Sequence, residues 1–165
     1  MRATKAKELT LENFERYGSF ASMVEPRNLS VGPEIHAFFC DQLVYYTAPG
    51  LPVGLSTSHV RKRPVVVDRT EVHRNCGEVL LPLDGDIYIH VGPRSGLDEA
   101  DFEKFEIFRV PQGTAVCLRP GTWHFAAFPC TAEAVSVLVM LPERTYANDC
   151  VVVDIPEEHQ IRLEE

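Results

Sequence analysis

The sequence predicts an all-β domain, a double-stranded β-helix or jelly-roll barrel, preceded by a short N-terminal helix. Short apolar runs rich in β-branched residues recur at intervals of roughly 8 to 12 residues between turn residues, which is typical of sandwiches and barrels. The stretch Leu83-Asp84-Gly85-Asp86 places an Asp-Gly pair between two such runs and predicts a hairpin. Antiparallel strands that close into a jelly roll also avoid long unpaired sheet edges.

The first predicted element is a helix near the N-terminus. Thr10 is a favoured N-cap residue. The apolar residues Leu11, Phe14 and Tyr17 follow at helical spacing, and Gly18 predicts the end of the helix. We expect this helix to serve as a lid or to pack against the barrel.

The strands of the barrel are predicted from residue 43 onward. Each run is short and apolar, and turn residues separate it from the next. The runs are Val44–Thr47, Val65–Val67, Val79–Pro82, Ile87–Val91, Phe105–Val110, Ala115–Leu118, Ala134–Leu141 and Val151–Ile155.

The length and composition predict one domain over residues 1–165. A chain of 165 residues that is 45% hydrophobic has enough apolar material for a single buried core. Within it we expect an N-terminal helix and arm over residues 1–42, the barrel over residues 43–155 and a C-terminal tail over residues 156–165.

The charge and the cysteine content restrict the classes of partner and the compartment. A net charge of -8 argues against nucleic-acid and anionic-membrane partners and favours a small-molecule ligand. The five cysteines form no Cys-x-x-Cys pair, which favours a reduced, intracellular protein. Residues 1–10 lack the apolar run of a signal peptide, and no stretch approaches the ~20 apolar residues of a membrane span. We therefore expect a soluble, cytoplasmic protein.

Two clusters about fifty residues apart carry potential metal ligands. The first cluster contains Glu71-x-His73, Glu78 and Gly85, and the second contains Gly113, Gly121 and His124. Side chains two positions apart on a strand share a face, so Glu71 and His73 should project together. We expect Glu78 on the return strand after a turn at residues 75–77, facing that pair across the ladder. A turn at residues 120–123 should deliver His124.

These two types of ligand, supplied by four residues, predict a site for a divalent metal. Imidazole nitrogen combined with carboxylate oxygen suits Ni, Mn, Fe, Co or Zn, and five- or six-coordinate geometry leaves positions open for a substrate. Each residue alone is better explained as a solvated or hydrogen-bonded side chain. The joint spacing of the two clusters favours a shared site.

Five further residues are candidates for substrate binding. Tyr88 and His90 alternate on a predicted strand and could line the pocket, although a strand tyrosine commonly packs in the core. Trp123 could form a wall of the site or pack in the core. Arg61 and Arg63 could clamp a substrate carboxylate, but a solvated edge strand protected by positive charge explains them as well.

The spacing of the two clusters resembles the two motifs of the cupin superfamily. His73 and Glu78 are separated by four residues and Glu78 and Gly85 by six, while Gly121 and His124 are separated by two. Cupins normally open the first motif with His-x-His and follow the last histidine with Asn. Glu71 and Phe128 stand at those two positions here, so the cupin-like site is rich in carboxylates.

Within the cupins, the chain resembles the ureidoglycolate lyase family, also called ureidoglycolate hydrolases, which act late in allantoin breakdown during purine catabolism. The fragments that carry the resemblance are Phe14-x-x-Tyr17-Gly18, Glu71-x-His73, Pro82-x-x-Gly85, Trp123-His124 and Ile155-Pro156-Glu157. Two positions differ from the family pattern. Glu78 stands where a glutamine is found and restores the usual cupin ligand, and Phe125 stands where a second histidine is found.

The resemblance implies a homodimeric, metal-dependent lyase of the amidine-lyase type that acts on a small carboxylate substrate. It would release urea from ureidoglycolate and leave glyoxylate. His73, Glu78 and His124 are the implied metal ligands, and Glu71 is either a fourth ligand or the catalytic base. A metal-bound water or Tyr88 could protonate the leaving nitrogen. Two other functions fit the same fold: a cupin isomerase or oxygenase acting on a small sugar or organic acid, and a cupin that binds a small ligand without turnover.

Overall fold

Two mainly antiparallel sheets form the body of the molecule in a computed structural model that describes residues 1–27, 29–47, 49–96 and 99–164. The strands are β1 (Arg2–Thr4), β2 (Lys7–Glu8), β3 (Gly18–Ser22), β4 (Ser30–Val31), β5 (Phe38–Phe39), β6 (Val53–Arg61), β7 (Val66–Val67), β8 (Arg69–Val72), β9 (Glu78–Pro82), β10 (Ile87–Gly92), β11 (Glu106–Val110), β12 (Thr114–Leu118), β13 (Trp123–His124), β14 (Phe128–Pro129), β15 (Ala134–Pro142), β16 (Val151–Asp154) and β17 (Ile161–Leu163). The α-helices are α1 (Leu11–Phe14) and α2 (Thr145–Asn148), and 3-10 turns occupy Glu34–His36, Phe102–Lys104 and Glu157–His159.

The two sheets enclose the main core between them. The first sheet has the order β16-β8-β13-β10-β11-β2, with β14 also paired with β10, and the second has the order β3-β12-β9-β15-β6. Alternate residues of β10, such as Ile87 and Ile89, belong to the same buried cluster as Val135 and Val137 of β15. This period of two arises because successive side chains of a strand point to opposite faces. The prediction of an all-β jelly-roll barrel is confirmed.

The chain termini cover the outer face of the first sheet. Strand β1 pairs in parallel with β17, which pairs with β7, and this small sheet buries Val67 and Ile161. They pack in a second apolar cluster that includes Phe105 and Trp123. Residues 2–22 and 161–163 therefore contribute strands, and the predicted division into an arm (1–42), a barrel (43–155) and a tail (156–165) does not match the strand boundaries.

The N-terminal helix is present but shorter than its apolar spacing suggests. Thr10 caps α1 through a reciprocal pair of hydrogen bonds with Asn13, and Phe14 is fully buried in the main core, so the helix packs against the barrel. Gly18 does not end the helix; it begins β3. A Cβ at Gly18 would lie 2.0 Å from the carbonyl oxygen of Cys117, so glycine is required there by the close approach of β12. No helix within the described residues is long and apolar enough to cross a membrane.

Near the start of the barrel, one strand prediction is wrong and one strand is missed. Residues 44–47 form no strand, because the carbonyls of Val44 and Tyr46 accept hydrogen bonds from the Cys117 thiol and the Gly77 amide instead of joining a ladder. The sequence also gives no prediction for β6, which pairs with β15 along nine residues. Strand β6 is mostly exposed at a sheet edge, so its sequence lacks the apolar content of a buried strand.

The predicted hairpin at Asp84-Gly85 is also wrong. Strands β9 and β10 on either side of it belong to different sheets, so this turn carries the chain across the barrel. The Asp84 carboxylate accepts a hydrogen bond of 2.7 Å from the Ser136 amide, and Asp86 accepts one of 2.8 Å from the Gln112 amide. These bonds tie the turn to neighbouring strands, which replaces the ladder that a hairpin would form.

Candidate metal centre

Four predicted ligands converge inside the barrel. Glu71 lies on β8, His73 follows that strand directly, Glu78 begins β9 and His124 ends β13. His124 is the register partner of Glu71 in the first sheet, so the second motif lies beside the first. One ligand atom from each of the four side chains lies within 4.8 Å of every other. His73, Glu78 and His124 are buried, and Glu71 is half-buried.

Glu78 reaches the histidines across the interior of the barrel. The sequence predicts that it faces them across a ladder, but β8 and β9 lie in different sheets. The Oε2 atom of Glu78 lies 3.0 Å from Nε2 of His73 and 2.9 Å from Nε2 of His124. The site therefore joins the two sheets, and its geometry depends on how they are packed.

Backbone carbonyls fix the orientation of both imidazole rings. Nδ1 of His73 donates to the carbonyl oxygen of Asp149 at 2.6 Å, and Nδ1 of His124 donates to that of Thr122 at 2.9 Å. Because a carbonyl can only accept, each Nδ1 carries a hydrogen and each Nε2 is left facing Glu78. Metal-binding histidines commonly make this type of hydrogen bond, which sets both tautomer and ring direction.

Asp149 holds the segment that orients His73. Its carboxylate accepts hydrogen bonds from the backbone amides of Arg74 and Asn75, at 3.0 Å and 2.8 Å, and another from the Asn75 side chain at 3.0 Å. The sequence gives no sign of this role, because Asp149 is more than seventy residues away along the chain.

Interactions between Glu78 and the histidines outweigh the effect of burial on the pKa values of Glu78 and His124. Burial alone would raise the pKa of Glu78, but the charge and hydrogen bonds of His124 and His73 bring it below its usual value. Burial alone would lower the pKa of His124, but Glu78 raises it above its usual value. In metal-free protein the cluster therefore holds a carboxylate and a proton on His124, so a positive charge already occupies its centre.

The donor set fits a divalent metal. Two ligand atoms at right angles on a metal with bonds of about 2.1 Å lie about 3.0 Å apart. The two distances from Glu78 to the imidazoles match that spacing. With both Nδ1 atoms donating to carbonyls, three potential acceptors converge on one point, and only a proton or a cation can satisfy them. His73, Glu78 and His124 could hold the ion, with Glu71 beside it.

A cavity of about 200 Å³ lies next to the cluster. Glu71, His73 and Glu78 form its polar end. The Cys150 thiol, which also lines the cavity, donates to Oε2 of Glu71 at 3.2 Å. Tyr146 contributes to the lining and is 78% exposed, so it stands at the rim. The remaining walls are formed by Ser58, Leu80, Phe125, Ala126, Ala127, Val137, Val139 and Leu141.

Arg63 and His90 meet at a different cavity. This second cavity, of about 280 Å³, also contacts Phe125 but excludes the four clustered ligands. The Arg63 guanidinium lies 4.0 Å from the ring centre of Phe128 and donates to the Ala127 carbonyl at 3.2 Å. Nε2 of His90 lies 3.2 Å from the Thr70 hydroxyl.

The other three substrate-binding candidates lie away from the cluster. Trp123 donates through Nε1 to the Ser95 hydroxyl at 2.9 Å and packs in the second apolar cluster, on the outer face of the first sheet. Tyr88 packs against the same cluster. Arg61 is exposed at the end of β6. None of the five candidates is among the described residues that line the cavity beside the clustered ligands.

Sequence reasoning missed three polar residues that line this cavity, namely Ser58, Tyr146 and Cys150. Ser58 faces inward because it pairs in register with Val137, a core residue of β15. Alternation along β6 could have identified Ser58 if the strand itself had been predicted. Tyr146 and Cys150 belong to the connection between β15 and β16, and their positions depend on tertiary packing.

Comparison with known proteins gives a family and a set of structural neighbours. A family model described as ureidoglycolate lyase matches residues 1–162. Oxalate decarboxylase from Bacillus subtilis is 15% identical with a TM-score of 0.44; the match covers 64% of this chain and 26% of that chain. A dTDP sugar isomerase from Desulfovibrio desulfuricans G20 is 12% identical with a TM-score of 0.46, and the match covers 86% and 85% of the two chains. This chain thus spans about a quarter of the decarboxylase. No curated protein is significantly similar in sequence.

Proposed function

This chain belongs to the ureidoglycolate lyase family, and on that premise we propose that it is a metal-dependent lyase that cleaves the carbon–nitrogen bond of ureidoglycolate or a similar small hydroxy or ureido acid. The observation that carries the proposal is the convergence of Glu71, His73, Glu78 and His124 within 4.8 Å, beside a cavity sized for a small molecule. Perturbed carboxylate and imidazole groups in a cavity are typical of catalytic sites.

The chemistry of the substrate defines what the site must supply. In ureidoglycolate, a hydroxyl, a carboxylate and a ureido nitrogen share one carbon. Removal of the hydroxyl proton forms the carbonyl, and the electron pair of the carbon–nitrogen bond leaves on nitrogen, which takes up a proton. The products are glyoxylate and urea. The reaction needs a base, a proton for the nitrogen and stabilisation of the developing alkoxide.

His73, Glu78 and His124 are the residues that would hold the metal. A bound divalent ion would supply Lewis-acid stabilisation of the hydroxyl oxygen as it loses its proton. The Nδ1 hydrogen bonds to Asp149 and Thr122 prepare both imidazoles for this role, because they keep each Nε2 directed at the centre of the site. Positioning of this kind before the substrate arrives lowers the cost of reaching the transition state.

Glu71 is the base in this proposal. It is the half-buried member of the cluster and lines the cavity, whereas Glu78 is buried between the two imidazoles. The thiol of Cys150 occupies Oε2 of Glu71, which leaves Oε1 for the substrate hydroxyl. After accepting that proton, Glu71 can deliver it to the leaving nitrogen. Tyr88 does not serve here, because it packs on the outer face of the sheet.

Metal analysis combined with an activity assay tests the proposal. Wild-type protein purified without added metal should contain a bound divalent ion. When loaded with at least one of Ni, Mn, Fe, Co or Zn, it should release glyoxylate and urea from ureidoglycolate. His73→Ala and His124→Ala should lose both the metal and the activity, while the exposed His36→Ala should keep both. Absence of product with all five ions would refute the named substrate, and retention of metal by both site variants would refute the ligand assignment.

We also propose that the protein forms a homodimer. Large apolar side chains are exposed around the β4–β5 hairpin, including Leu29 at 83% and Ile35 at 95%. Exposed apolar surface of this kind is typical of protein interfaces. Strand β6, at the edge of its sheet, also exposes Leu55. Light scattering should give twice the mass of the chain, and Ile35→Glu should shift the mass toward the monomer; a monomeric wild type would refute the proposal.

A further inference from the structure

Away from the clustered ligands, the cavity wall is mainly apolar. Strand β15 points Val137, Val139 and Leu141 inward because these residues alternate with outward ones. Leu80 faces the same space from β9, and Phe125 closes it from the segment after β13. The carboxylate and imidazole groups of the cavity are thus gathered at the end that holds the clustered ligands.

Partners for a polar substituent are scarce on this wall. The described residues that line the cavity include no Arg, Lys, Asn or Gln. Ser58 supplies one hydroxyl, and the hydroxyl of Tyr146 belongs to a side chain that is 78% exposed at the rim. The Cys150 thiol is already engaged with Glu71. A buried polar group without a partner is unfavourable, whereas an apolar group gains from burial.

A ureido group is poorly matched to such a wall. Beyond the nitrogen that leaves, it presents a carbonyl oxygen and an amino group with two N–H donors. An acyl group with the same shape replaces that amino group by a methyl group, which needs no partner. The hydroxyl and carboxylate are identical in the two molecules, so the polar end of the site is equally satisfied by both.

We propose that the preferred substrates of this site are N-acyl-α-hydroxyglycines whose acyl group is a short apolar chain, ahead of ureidoglycolate. The inference rests on the proposed function, since the reacting carbon and the bond that breaks are the same. The hydroxyl proton passes to Glu71, the carbon–nitrogen electron pair leaves on nitrogen, and nitrogen takes up a proton. The products are glyoxylate and a primary amide, so no oxidant, reductant or further reactant is required.

The size of the cavity limits the acyl chain. The cavity volume of about 200 Å³ is much larger than the space that one water molecule needs, but it is too small for a long acyl chain. Acetyl and isobutyryl groups are therefore suitable probes. Each carbon buried from water improves transition-state binding by about fourfold. The isobutyryl compound, with two carbons more than the acetyl compound, should gain about fifteenfold over it.

Comparison of kcat/KM between two matched substrates tests the inference. N-acetyl-α-hydroxyglycine differs from ureidoglycolate only by a methyl group in place of the amino group. We expect its kcat/KM for glyoxylate release, measured with metal-loaded wild-type protein, to be at least tenfold higher. If ureidoglycolate is turned over with an equal or higher kcat/KM, the inference is overturned while the lyase function stands. If none of the three compounds is turned over, the lyase function fails and this inference fails with it.

A variant and a binding measurement test whether the polarity of the cavity wall causes the preference for an acyl over a ureido group. Val139→Thr adds a hydroxyl at nearly constant shape and should reduce the preference for acetyl over ureido by several-fold. The same change at Val31, an exposed residue of β4, should leave the preference unchanged. By calorimetry, isobutyramide should bind wild-type protein at least tenfold more tightly than urea. Equal affinities for the two, or equal effects of the two variants, would overturn the assignment of specificity to this wall.

Discussion

Metal binding should exchange directly with the proton on His124. Glu78 lies 2.9 Å from Nε2 of this histidine and raises its pKa to about 9, against the lowering effect of burial. At pH 7 the protonated form of His124 is therefore about 100-fold more abundant than the neutral form. A divalent ion must displace this proton to reach Nε2. The apparent affinity for the ion should rise about tenfold for each pH unit between 6.5 and 8.5 and level off near pH 9.

Calorimetry can measure this exchange directly. Titration of Mn²⁺ or Ni²⁺ into metal-free protein at pH 7, in two buffers of different ionisation enthalpy, should show release of about one proton per ion. In Glu78→Gln the carboxylate that raises the pKa of His124 is gone, so proton release at pH 7 should fall well below one. An affinity for the ion that does not change with pH in the wild type would refute the assignment of the central charge to His124.

Three further predictions follow from contacts in the structure. Glu71→Gln should lower kcat by about 10²–10⁴-fold while metal content stays at the wild-type level, because a base is lost but not a ligand; a parallel loss of metal would make Glu71 a ligand. Asp149→Ala should weaken metal binding by about 10–100-fold by releasing the segment that orients His73, as measured by calorimetry. Burial lowers the pKa of His90 to about 3, so its unfolded form alone takes up a proton as the pH falls through 6.5. The stability contributed by neutral His90 is present above pH 6.5 and is lost below it. Between pH 7.5 and 5.5, wild-type protein should lose about 1.4 kcal/mol more unfolding free energy than His90→Gln in denaturant titrations.

Each of these predictions has an outcome that would contradict it. Unchanged metal affinity in Asp149→Ala would show that the Asp149 carbonyl alone positions His73. An equal pH dependence of stability in wild type and His90→Gln would show that His90 is protonated or exposed in the folded protein. Thermal unfolding of all variants at pH 8 should first establish that each one is folded.

The sequence predicts the core strands well because burial leaves a clear signature. Strands β9, β10 and β12 are apolar on the face that meets the core, and their predicted and observed bounds agree to within a residue. Strand β6 has no such signature, since most of its residues are exposed and, among the described strands, its ladder hydrogen bonds are with β15. Pairing, and not local composition, therefore defines this edge.

The convergence of the ligands is predictable from spacing, but their surroundings are not. Two sequence features predict where the site lies. They are the two-residue spacing of Glu71 and His73 and the turn at Gly121. Gly121 has a φ of +86°, which favours glycine, and its amide donates to the His73 carbonyl at 2.6 Å. In contrast, Asp149 and Cys150 reach the site from the connection after β15. No local pattern links residues so distant in sequence, so their roles emerge only from tertiary packing.

The presence of two carboxylates in the cluster is consistent with the apolar cavity beside it. Charges are expensive in an environment of low polarity unless they are balanced nearby. Glu71 and Glu78 together carry two negative charges, and the two imidazoles are neutral once both Nε2 atoms bind a metal. A divalent ion would therefore leave the whole site without net charge, whereas a set with a third histidine in place of Glu71 would leave one positive charge. Glu71→His should thus raise the affinity of the metal-loaded protein for small anions such as formate, as measured by calorimetry beside the wild type; equal affinities in the two proteins would contradict this charge argument.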